Sequence, residues 1–405
     1  MVKHWHTIRL GDACVTNASS YSPKELWTFV NYLDTGNITE NRIDSIQYID
    51  LAKEELPSRA KRKVKKDSII YSTVRPNQRH YGIIKTIPQN FLVSTGFAVI
   101  DADSQLLDAD FLYYVLTQAT VVDKLHAIAA QSTSAYPSLR PSDIENLEID
   151  IPTLDEQRAI ASILRCIDEK IRLNAQINQN LEQQAQAIFK SWFVDFEPFQ
   201  DGRFVDSELG PIPEGWRVTE MGDVTTEKRA KVGKQILKVF SAVNTGELKL
   251  SEDYFTKQVF SKDIGKYIAV EPLSFAYNPA RINIGSIGIN DMGYAGCVSP
   301  VYVVFSAENG YHHFINFLIK RPSFKEELKT RSSGSVRQSL GYKDFGLIKT
   351  IYPPHSIIEQ FNKVYEPILG GIKHNLAENT KLITLRDTLL PKLMSGEIDV
   401  SEVDV

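Results

Sequence analysis

Side chains that can contact nucleic-acid bases cluster at two places in the chain. Arginine, asparagine and glutamine form hydrogen bonds with base edges in the major groove of DNA. We interpret both clusters as candidate DNA contacts, and ordinary turn or surface chemistry is the alternative for each residue. The first cluster contains Arg75, Asn77, Gln78, Arg79 and Tyr81, and the second contains Asn278, Arg281 and Asn283.

Two serine-rich segments form a second pair of candidates. They span residues 131–136 and 332–338, one in each half of the chain. Hydroxyl, amide and guanidinium groups in such loops can also contact DNA. The candidates in these segments are Ser134, Tyr136, Ser335, Arg337 and Gln338.

Lysine and arginine are concentrated locally, although the formal net charge of the chain is -4. A weakly acidic total does not favour a general nucleic-acid binder, but a whole-chain sum hides local patches. Basic patches would supply salt-dependent contacts with phosphates, and solvated surface is the alternative. The first run includes Arg59, Lys61 and Arg62, the second extends from Lys228 to Lys238, and the third from Lys320 to Lys349.

No sequence pattern indicates catalysis. A phosphate-binding loop of the form GxxxxGK[ST] does not occur, and the segment 277–280 departs at Ala280 from the Asn-Pro-Pro-aromatic motif of amino-methyltransferases. Cys14, Cys166 and Cys297 lie far apart, without the spacing of a metal site. We therefore predict a non-enzymatic chain that has no metal and no cofactor of its own.

The chain is a repeat of itself. Trp5 and Gly11 reappear as Trp216 and Gly222, at an offset of 211 residues. Later matches have offsets of 206, 205 and 201 residues. An offset that falls steadily is expected for two copies whose loops differ in length. These later pairs are Tyr71 and Tyr277, Val93 and Val298, Leu139 and Leu340, and Ile171 and Ile372.

Each copy begins with a segment of mixed α and β character. Residues 68–74 and 91–100 are rich in β-branched and aromatic side chains, which indicates strands. Residues 111–130 have helical spacing of apolar side chains, and residues 311–329 form the matching helix of the second copy. The Gly-, Ile- and Asn-rich segment 280–296 predicts short strands and tight turns.

Each copy ends in a long helical segment. Between Asp155 and about Phe193 there is neither glycine nor proline, and Thr153 and Glu156 form a capping-box pattern. Apolar residues then follow a heptad repeat that predicts a coiled-coil seam. Asparagines occupy central seam positions in both helices: Asn174, Asn178, Asn375 and Asn379.

The second helix is expected to be irregular and to pair with the first. Pro367 and the pair Gly370-Gly371 predict a kink or a late start. A helix of this kind is about 57 Å long at about 1.5 Å per residue, and antiparallel pairing would bring the central asparagines together. Buried asparagine fixes the register of a coiled coil. We predict that the helices set the spacing between the globular parts, and simple exposure of the asparagines is the alternative.

The expected location is the cytoplasm, without membrane contact. No apolar segment reaches the length of a membrane span, the first residues do not form a signal segment, and the cysteine usage fits a reducing compartment. The predicted domains are residues 1–152 and 198–354 (with a linker at 198–215), each followed by a helical region, at 153–197 and 355–405.

Distinctive segments in the helices and the linker indicate a family. They are residues 154–160 (LDEQRAI), 188–196 (IFKSWFVDF), 207–216 (SELGPIPEGW) and 385–398 (LRDTLLPKLMSGEI). With these segments and the order of its parts, the chain resembles the specificity (S) subunits of type I restriction-modification systems. The resemblance covers nearly the whole chain and departs only at the irregular start of the second helix.

The resemblance implies a fold and partners. It implies an α+β fold with two mixed α/β target-recognition domains separated by two long antiparallel coiled-coil helices. Each domain would read one half of a split double-stranded DNA site, two methyltransferase subunits would bind, and motor-nuclease subunits would join them for cleavage. S-adenosylmethionine, ATP and magnesium are expected only in those partner subunits.

Other functions stay open at this point. A methyltransferase or nuclease acting alone would need the motifs that are missing. A coiled-coil adaptor, or a stand-alone DNA-binding protein without restriction activity, is opposed only in part by the basic runs. For the methyltransferase contact, the candidate surfaces are the far side of the helix seam and the aromatic run 192–199.

Overall fold

The computed structural model describes residues 5–131, 137–255, 257–333, 339–401 and 403. Its contacts divide the chain into two compact units. Unit 1 contains residues 1–175 and 376–405, and unit 2 contains residues 176–375. Each unit therefore holds one globular part and a portion of both long helices.

Two four-stranded sheets form the frame of unit 1. Its strands are β1 (His6–Arg9), β2 (Cys14–Thr16), β3 (Phe29–Leu33), β4 (Ile38–Thr39), β5 (Arg42–Ile43), β6 (Gln47–Asp50), β7 (Ala60–Arg62), β8 (Ile69–Ser72), β9 (Tyr81–Ile83), β10 (Phe91–Ser94), β11 (Phe97–Ala102) and β12 (Glu148–Ile151). The sheets have the orders β6-β3-β10-β7 and β2-β11-β8-β9, while β1 pairs with β12 and β4 with β5.

Side-chain caps begin α1 and α4 among the helices of unit 1, which are α1 (Ala109–Thr117), α2 (Ala119–Ala130), α3 (Pro141–Glu145) and the first part of α4 (Leu154–Phe193). Before α1, the Asp108 carboxylate accepts the Phe111 N–H at 2.9 Å. Before α4, Thr153 Oγ1 accepts the Glu156 N–H at 3.4 Å, and Glu156 Oε2 accepts the Thr153 N–H at 3.2 Å. The predicted capping box and first long helix are confirmed.

Unit 2 contains the last part of α4 and a second set of strands and helices, and the last part of α10 returns to unit 1. Its strands are β13 (Phe204–Val205), β14 (Ile212–Pro213), β15 (Arg217–Glu220), β16 (Thr225–Lys228), β17 (Lys238–Val243), β18 (Glu247–Leu250), β19 (Ile268–Val270), β20 (Phe275–Tyr277), β21 (Ile287–Ile289), β22 (Gly296–Val298), β23 (Val303–Ala307) and β24 (Lys349–Tyr352). Its helices are α5 (Met221–Val224), α6 (Ser251–Tyr254), α7 (His312–Leu318), α8 (Pro322–Ser333), α9 (Tyr342–Gly346) and the first part of α10 (His355–Met394).

The sheets of unit 2 repeat the connectivity of unit 1. Their orders are β18-β17-β22-β19 and β16-β23-β20-β21, and β15 pairs with β24 as β1 pairs with β12. The two inner strands of the first sheet are parallel in both units, β3 with β10 and β17 with β22. The predicted α+β fold with an internal repeat is confirmed.

Each unit buries its portions of the long helices in its own core. In unit 1, Ile160 of α4 and Leu393 of α10 belong to the cluster that contains Phe111. In unit 2, the rings of Phe193 (α4) and Phe361 (α10) meet edge to face at 5.0 Å. Burying one such side chain is worth roughly 1.5–3 kcal/mol, so the helices are integral to both units.

Of the two irregularities expected in the second helix, a kink or a late start, the late start is wrong, and the kink stays a prediction. Helix α10 begins at His355 and includes Pro367, Gly370 and Gly371. Proline removes one helical hydrogen bond and glycine lowers helix propensity. However, Phe361 is fully buried in the core of unit 2, and tertiary packing there outweighs local propensity.

The boundaries of the compact units differ from the domain boundaries expected from the sequence. Those ranges separate each globular part from a helical region, 153–197 or 355–405, whereas each unit includes portions of both helices. The division into four sequence ranges stays a prediction.

Candidate nucleic-acid interface

The first candidate cluster lies in the loop that joins β8 to β9, residues 73–80, which we call the first reader loop. Its residues 76–78 form a 3-10 turn. Arg75 and Arg79, on either side, have positive φ angles of 49° and 56°, an uncommon conformation for residues other than glycine. Asn77, Gln78 and Arg79 are exposed. This backbone therefore turns polar side chains towards solvent.

A hairpin that the sequence analysis missed supports this loop on one side. Strands β4 and β5 are joined by Glu40 and Asn41, both with positive φ, the conformation of a type I′ turn that favours asparagine. Arg79 Nη1 lies 2.7 Å from Glu40 Oε1, and the Glu40 N–H donates to the Arg79 carbonyl at 3.0 Å. The hairpin thus restrains the Arg79 end of the loop.

Residues 137–139 hold the other side of the first reader loop. The Arg75 N–H donates to the Pro137 carbonyl at 3.1 Å, and the Leu139 N–H donates to the Thr73 carbonyl at 2.7 Å. This segment directly follows the serine-rich segment 131–136. The candidates Ser134 and Tyr136 lie outside the described residues.

The second candidate cluster lies in the loop that joins β20 to β21, residues 278–286, which we call the second reader loop. Asn278 Oδ1 accepts the Ala280 N–H at 3.1 Å, so its amide oxygen has a turn role. Arg281 is exposed and Asn283 is half-buried at a 3-10 turn of residues 282–284. The exposed arginine is therefore the main polar group that this loop presents.

A backbone hydrogen bond and a neighbouring helix hold the second reader loop in the same way as the first. The Leu340 N–H donates to the Pro279 carbonyl at 3.1 Å, which repeats the bond from Leu139 to Thr73. Helix α8 contacts its 3-10 turn, as α2 contacts the turn of the first loop. The candidates Ser335, Arg337 and Gln338 lie outside the described residues.

Glycines at equivalent places let each reader loop approach its support. Gly82 in β9 and Gly288 in β21 each follow a reader loop. A Cβ on Gly82 would lie 2.6 Å from Ile38 Cδ1, and one on Gly288 would lie 2.6 Å from the backbone carbon of Glu247. Real Cβ contacts are longer, so a side chain at either place would force a neighbour to shift; at Gly288 that neighbour is backbone, and this place requires glycine.

The structure changes the interpretation of two sequence candidates in unit 1. Tyr81 is 3% exposed, its ring stacks on Tyr71 at 5.4 Å, and burial raises its pKa to about 12. Its expected role as a direct DNA contact is therefore corrected to support of the loop from beneath. Arg62 is half-buried in β7, where Nη2 donates to the Thr95 carbonyl at 3.4 Å and burial lowers its pKa; it is structural in this position.

Other basic side chains lie beside the reader loops. Arg59 and Lys61 are exposed at β7. The Arg59 carbonyl accepts the Thr95 N–H at 2.8 Å, and the next residue, Gly96, accepts the N–H of Thr73 at 2.8 Å. The start of the first basic run is thus near the first reader loop. In unit 2, Lys320 and Lys325 line a small pocket together with Asn244, Ile282 and Gly285.

The seam asparagines pair in each unit. In unit 1, Asn174 Nδ2 donates to Asn379 Oδ1 at 2.8 Å, and Asn379 Nδ2 donates to the Ile171 carbonyl at 3.2 Å. In unit 2, the same bonds recur 201 residues away. There Asn375 donates to Asn178 at 2.8 Å, and Asn178 donates to the Ile372 carbonyl at 3.2 Å. Asn174 and Asn178 are 1% and 6% exposed, so simple exposure does not describe them.

The aromatic run 192–199, considered for methyltransferase contact, is used largely inside unit 2. Phe193 and Phe196 are buried and contact Trp216 at centroid distances of 5.9 and 5.3 Å. Trp192 and Phe199 are half-buried. The run therefore connects α4 to the globular part of unit 2, with Phe193 and Phe196 in its core.

Neither a membrane span nor a metal cluster occurs within the described ranges. Among those residues, no helix is both long and apolar enough to cross a membrane. No group of three or more histidine, cysteine, aspartate or glutamate side chains there has metal-binding geometry.

Comparisons with known proteins agree with one another. Residues 2–183 match the family model of the type I restriction modification DNA specificity domain. The MjaIX specificity subunit of Methanocaldococcus jannaschii is 30% identical over 317 residues, 73% of this chain and 70% of that protein. The HindI specificity subunit of Haemophilus influenzae is 26% identical, covering 97% and 99% of the two chains.

A solved structure shares the fold. The S subunit of a type I restriction-modification system from M. genitalium superposes with a TM-score of 0.61 at 17% identity, covering 97% of this chain and 96% of that one. Because the sequences are only 17% identical, this similarity shows a shared fold and no more.

Proposed function

The chain belongs to the specificity subunits of type I restriction-modification systems, and we propose that each of its units reads one half of a bipartite DNA site. The observation that carries this proposal is the repeated reader loop. The first loop follows β8 and the second follows β20, which hold the same place in sheets of the same strand order. Each loop leads into a strand that contains glycine, β9 or β21. One architecture used twice is suited to two half-sites.

The two loops differ in the side chains that they present, which favours an asymmetric site. The first exposes Asn77, Gln78 and Arg79, whereas the second exposes Arg281. Amides suit paired hydrogen bonds with adenine, and arginine suits guanine. The lysines and arginines beside the loops would contribute phosphate contacts that fix position without reading sequence.

The helix pair would act as spacer and as docking scaffold. Helices α4 and α10 each contribute residues to both units, so a change in their register would change the spacing of the half-sites. Two binding modules in one chain make the second DNA contact intramolecular, which raises affinity. Two methyltransferase subunits would bind this scaffold, and motor-nuclease subunits would join them for cleavage.

The chain itself would be non-catalytic. S-adenosylmethionine, ATP and magnesium would bind only in the partner subunits, and the assembly would work in the cytoplasm. The support for this division of labour is the sequence, which lacks a phosphate-binding loop and a complete amino-methyltransferase motif.

Binding of the complex to DNA tests the proposal against an adaptor that does not bind DNA. The chain is co-expressed with its methyltransferase subunit, and the purified complex is titrated with duplex DNA at several salt concentrations. The proposal predicts sequence-specific binding that weakens steeply with salt. A stable complex without such binding would favour the adaptor, and S-adenosylmethionine binding by the isolated chain would favour an enzyme.

A further inference from the structure

A cluster of three side chains in unit 1 connects the globular part to the helix pair. It consists of Tyr114, Asp168 and Arg386. We propose that these three side chains are positioning residues for the first reader loop, and that apolar residues take their places in unit 2. This inference rests on the proposed function, because it concerns which half of the DNA site depends on the cluster.

One carboxylate joins three helices. Asp168 of α4 accepts a hydrogen bond from Tyr114 of α1 at 2.8 Å and one from Arg386 Nη1 of α10 at 3.0 Å. Arg386 also donates to Asp387 Oδ1 from Nε and Nη2, at 3.0 and 2.9 Å. The side chains of Asp168 and Arg386 are 30% and 27% exposed. Charge-assisted bonds in such a partly dehydrated place are stronger than bonds on an open surface.

A row of tyrosines continues from this carboxylate to the first reader loop. The ring of Tyr114 meets Tyr113 edge to face at 5.1 Å, and Tyr113 meets Tyr81 at 6.3 Å. Tyr81 stacks on Tyr71 at 5.4 Å. Tyr71 lies in β8 and Tyr81 begins β9, the two strands that the loop connects. Because close-packed interiors transmit displacements, a shift at Asp168 would reach the base of the loop.

Charge also links the helix pair with the loop. The pKa of Arg79 is raised, first by its hydrogen bond with Glu40 and to a smaller extent by the carboxylate of Asp387. Asp387 is the second acceptor of Arg386. Asp387, which accepts hydrogen bonds from Arg386, thus also acts on a side chain of the first reader loop.

The corresponding places in unit 2 are apolar. At the offset of 201 residues, Asp168 corresponds to Leu369 and Arg386 to Ala185. Helix α7 matches α1 at an offset of 203 residues, as Phe314 matches Phe111, and therefore Phe317 corresponds to Tyr114. Phe317 contacts other aromatic rings instead of a carboxylate: Phe189 at 4.9 Å and Tyr365 at 5.1 Å.

The apolar residues of unit 2 show which substitutions could replace the polar cluster of unit 1. The triple substitution Tyr114→Phe, Asp168→Leu and Arg386→Ala gives unit 1 the residues of unit 2. Replacing an ion pair with packed apolar residues is often neutral for stability, so this variant separates positioning from folding. The single variant Arg386→Ala leaves Asp168 without its cation. The matched control is Arg172→Ala on α4, the helix of Asp168. Among the described residues, the exposed guanidinium of Arg172 bonds only Glu169, three residues away, at 2.9 Å from Nε.

The readout is methylation by the co-expressed complex on duplexes altered in one half-site at a time. The half read by unit 1 is assigned with Asn77→Ala and the half read by unit 2 with Arg281→Ala. For Arg386→Ala and for the triple variant, we expect discrimination at the unit 1 half-site to fall about tenfold, which is the size expected for one charged hydrogen bond. Discrimination at the unit 2 half-site should change less than about twofold, and Arg172→Ala should behave as the wild type.

Thermal unfolding of the same complexes separates positioning from general destabilisation. The triple variant should unfold within a few degrees of the wild type and still lose discrimination at one half-site. Equal losses at both half-sites, or full discrimination in both variants, would overturn the positioning role. If the wild-type complex discriminates at neither half-site, the proposed function fails, and this inference fails with it.

Discussion

Asn375 donates a hydrogen bond to Asn178 at 2.8 Å across the helix pair of unit 2, and the pair Asn174 and Asn379 repeats this bond in unit 1. These hydrogen bonds between asparagine side chains can form in one register only. A slip of the helices would leave buried amides without partners, which costs about 1–3 kcal/mol for each group. The asparagines therefore select one alignment of α4 with α10.

Replacing Asn174 and Asn375 with leucine tests the role of this register. The double variant should fold but unfold at a lower temperature, because Asn379 and Asn178 each lose a side-chain hydrogen-bond partner. Methylation should become tolerant of half-site spacers one base pair longer or shorter. The measurement is the initial methylation rate on a series of duplexes that differ only in spacer length.

A surface change on the same helix is the control for this experiment. Asn180 is exposed, and Asn180→Leu should leave the spacer requirement unchanged. A spacer requirement that is as strict in the double variant as in the wild type would rule out the ruler role.

Alanine substitutions in the reader loops should act on separate halves of the DNA site. Asn77→Ala together with Gln78→Ala should relax one half-site, and Arg281→Ala should relax the other. Loss of one paired base contact costs about 1–3 kcal/mol of discrimination. Competition binding with duplexes mutated in either half measures the effect. Loop variants that weaken binding to all sequences equally would show that these residues contact phosphates instead of bases.

Gly288→Ala should destabilise unit 2 by about 1–3 kcal/mol, as expected for overpacking. The new methyl group would lie 2.6 Å from the backbone carbon of Glu247 and 2.7 Å from the backbone nitrogen of Leu248, and backbone atoms cannot move away cheaply. Gly370→Ala is the matched control, because the new Cβ meets no atom within 4 Å. In the interior of α10 this change should gain about 1 kcal/mol. Urea unfolding measures the change in the free energy of unfolding for both variants. A stabilised Gly288→Ala or a destabilised Gly370→Ala would contradict the prediction.

His313 should make unit 2 sensitive to acid. Burial, followed by the nearby charges of His312 and Lys373, lowers its pKa from 6.5 to about 3. The folded form binds a proton less readily than the unfolded chain, so its contribution to stability is complete above pH 6.5 and is lost as the pH falls towards 3. The slope is at most about 1.4 kcal/mol per pH unit for one proton.

The measurement is the free energy of unfolding of wild type and His313→Phe between pH 7 and pH 4. The wild type should lose stability more steeply over this interval, since phenylalanine does not titrate. His374→Gln is the control at an exposed position on α10. Parallel pH profiles for wild type and His313→Phe would show that His313 is not the acid-sensitive group.

Patterns that extend along the chain were predictable. The falling offset of the repeat and the heptads of α4 depend on many residues, and they predicted the two-unit fold and the first long helix. The positions of the two reader loops could be predicted from the sequence, because arginine and asparagine lie there in both copies. Local propensity failed for α10, where Pro367 indicated a late start and the burial of Phe361 overrode it.

Contacts between residues distant in sequence could not be predicted. Tyr81 belongs to a polar cluster in sequence, but its ring is enclosed by Tyr71 and Tyr113. The bond between Arg79 and Glu40 joins residues 39 positions apart, and the bond between Asp168 and Arg386 joins residues 218 positions apart. Such pairs depend on the tertiary fold and leave no periodic signal in the sequence.

The most direct test of bipartite recognition is to map methylated adenines in DNA from cells that express the chain with its methyltransferase subunit. Long-read sequencing of that DNA identifies every base of the modified motif directly. The proposed function predicts one motif with two defined halves and a fixed unread spacer, lost when the chain is omitted and relaxed in one half by Arg281→Ala. A stable complex that produces no motif dependent on the chain would contradict it.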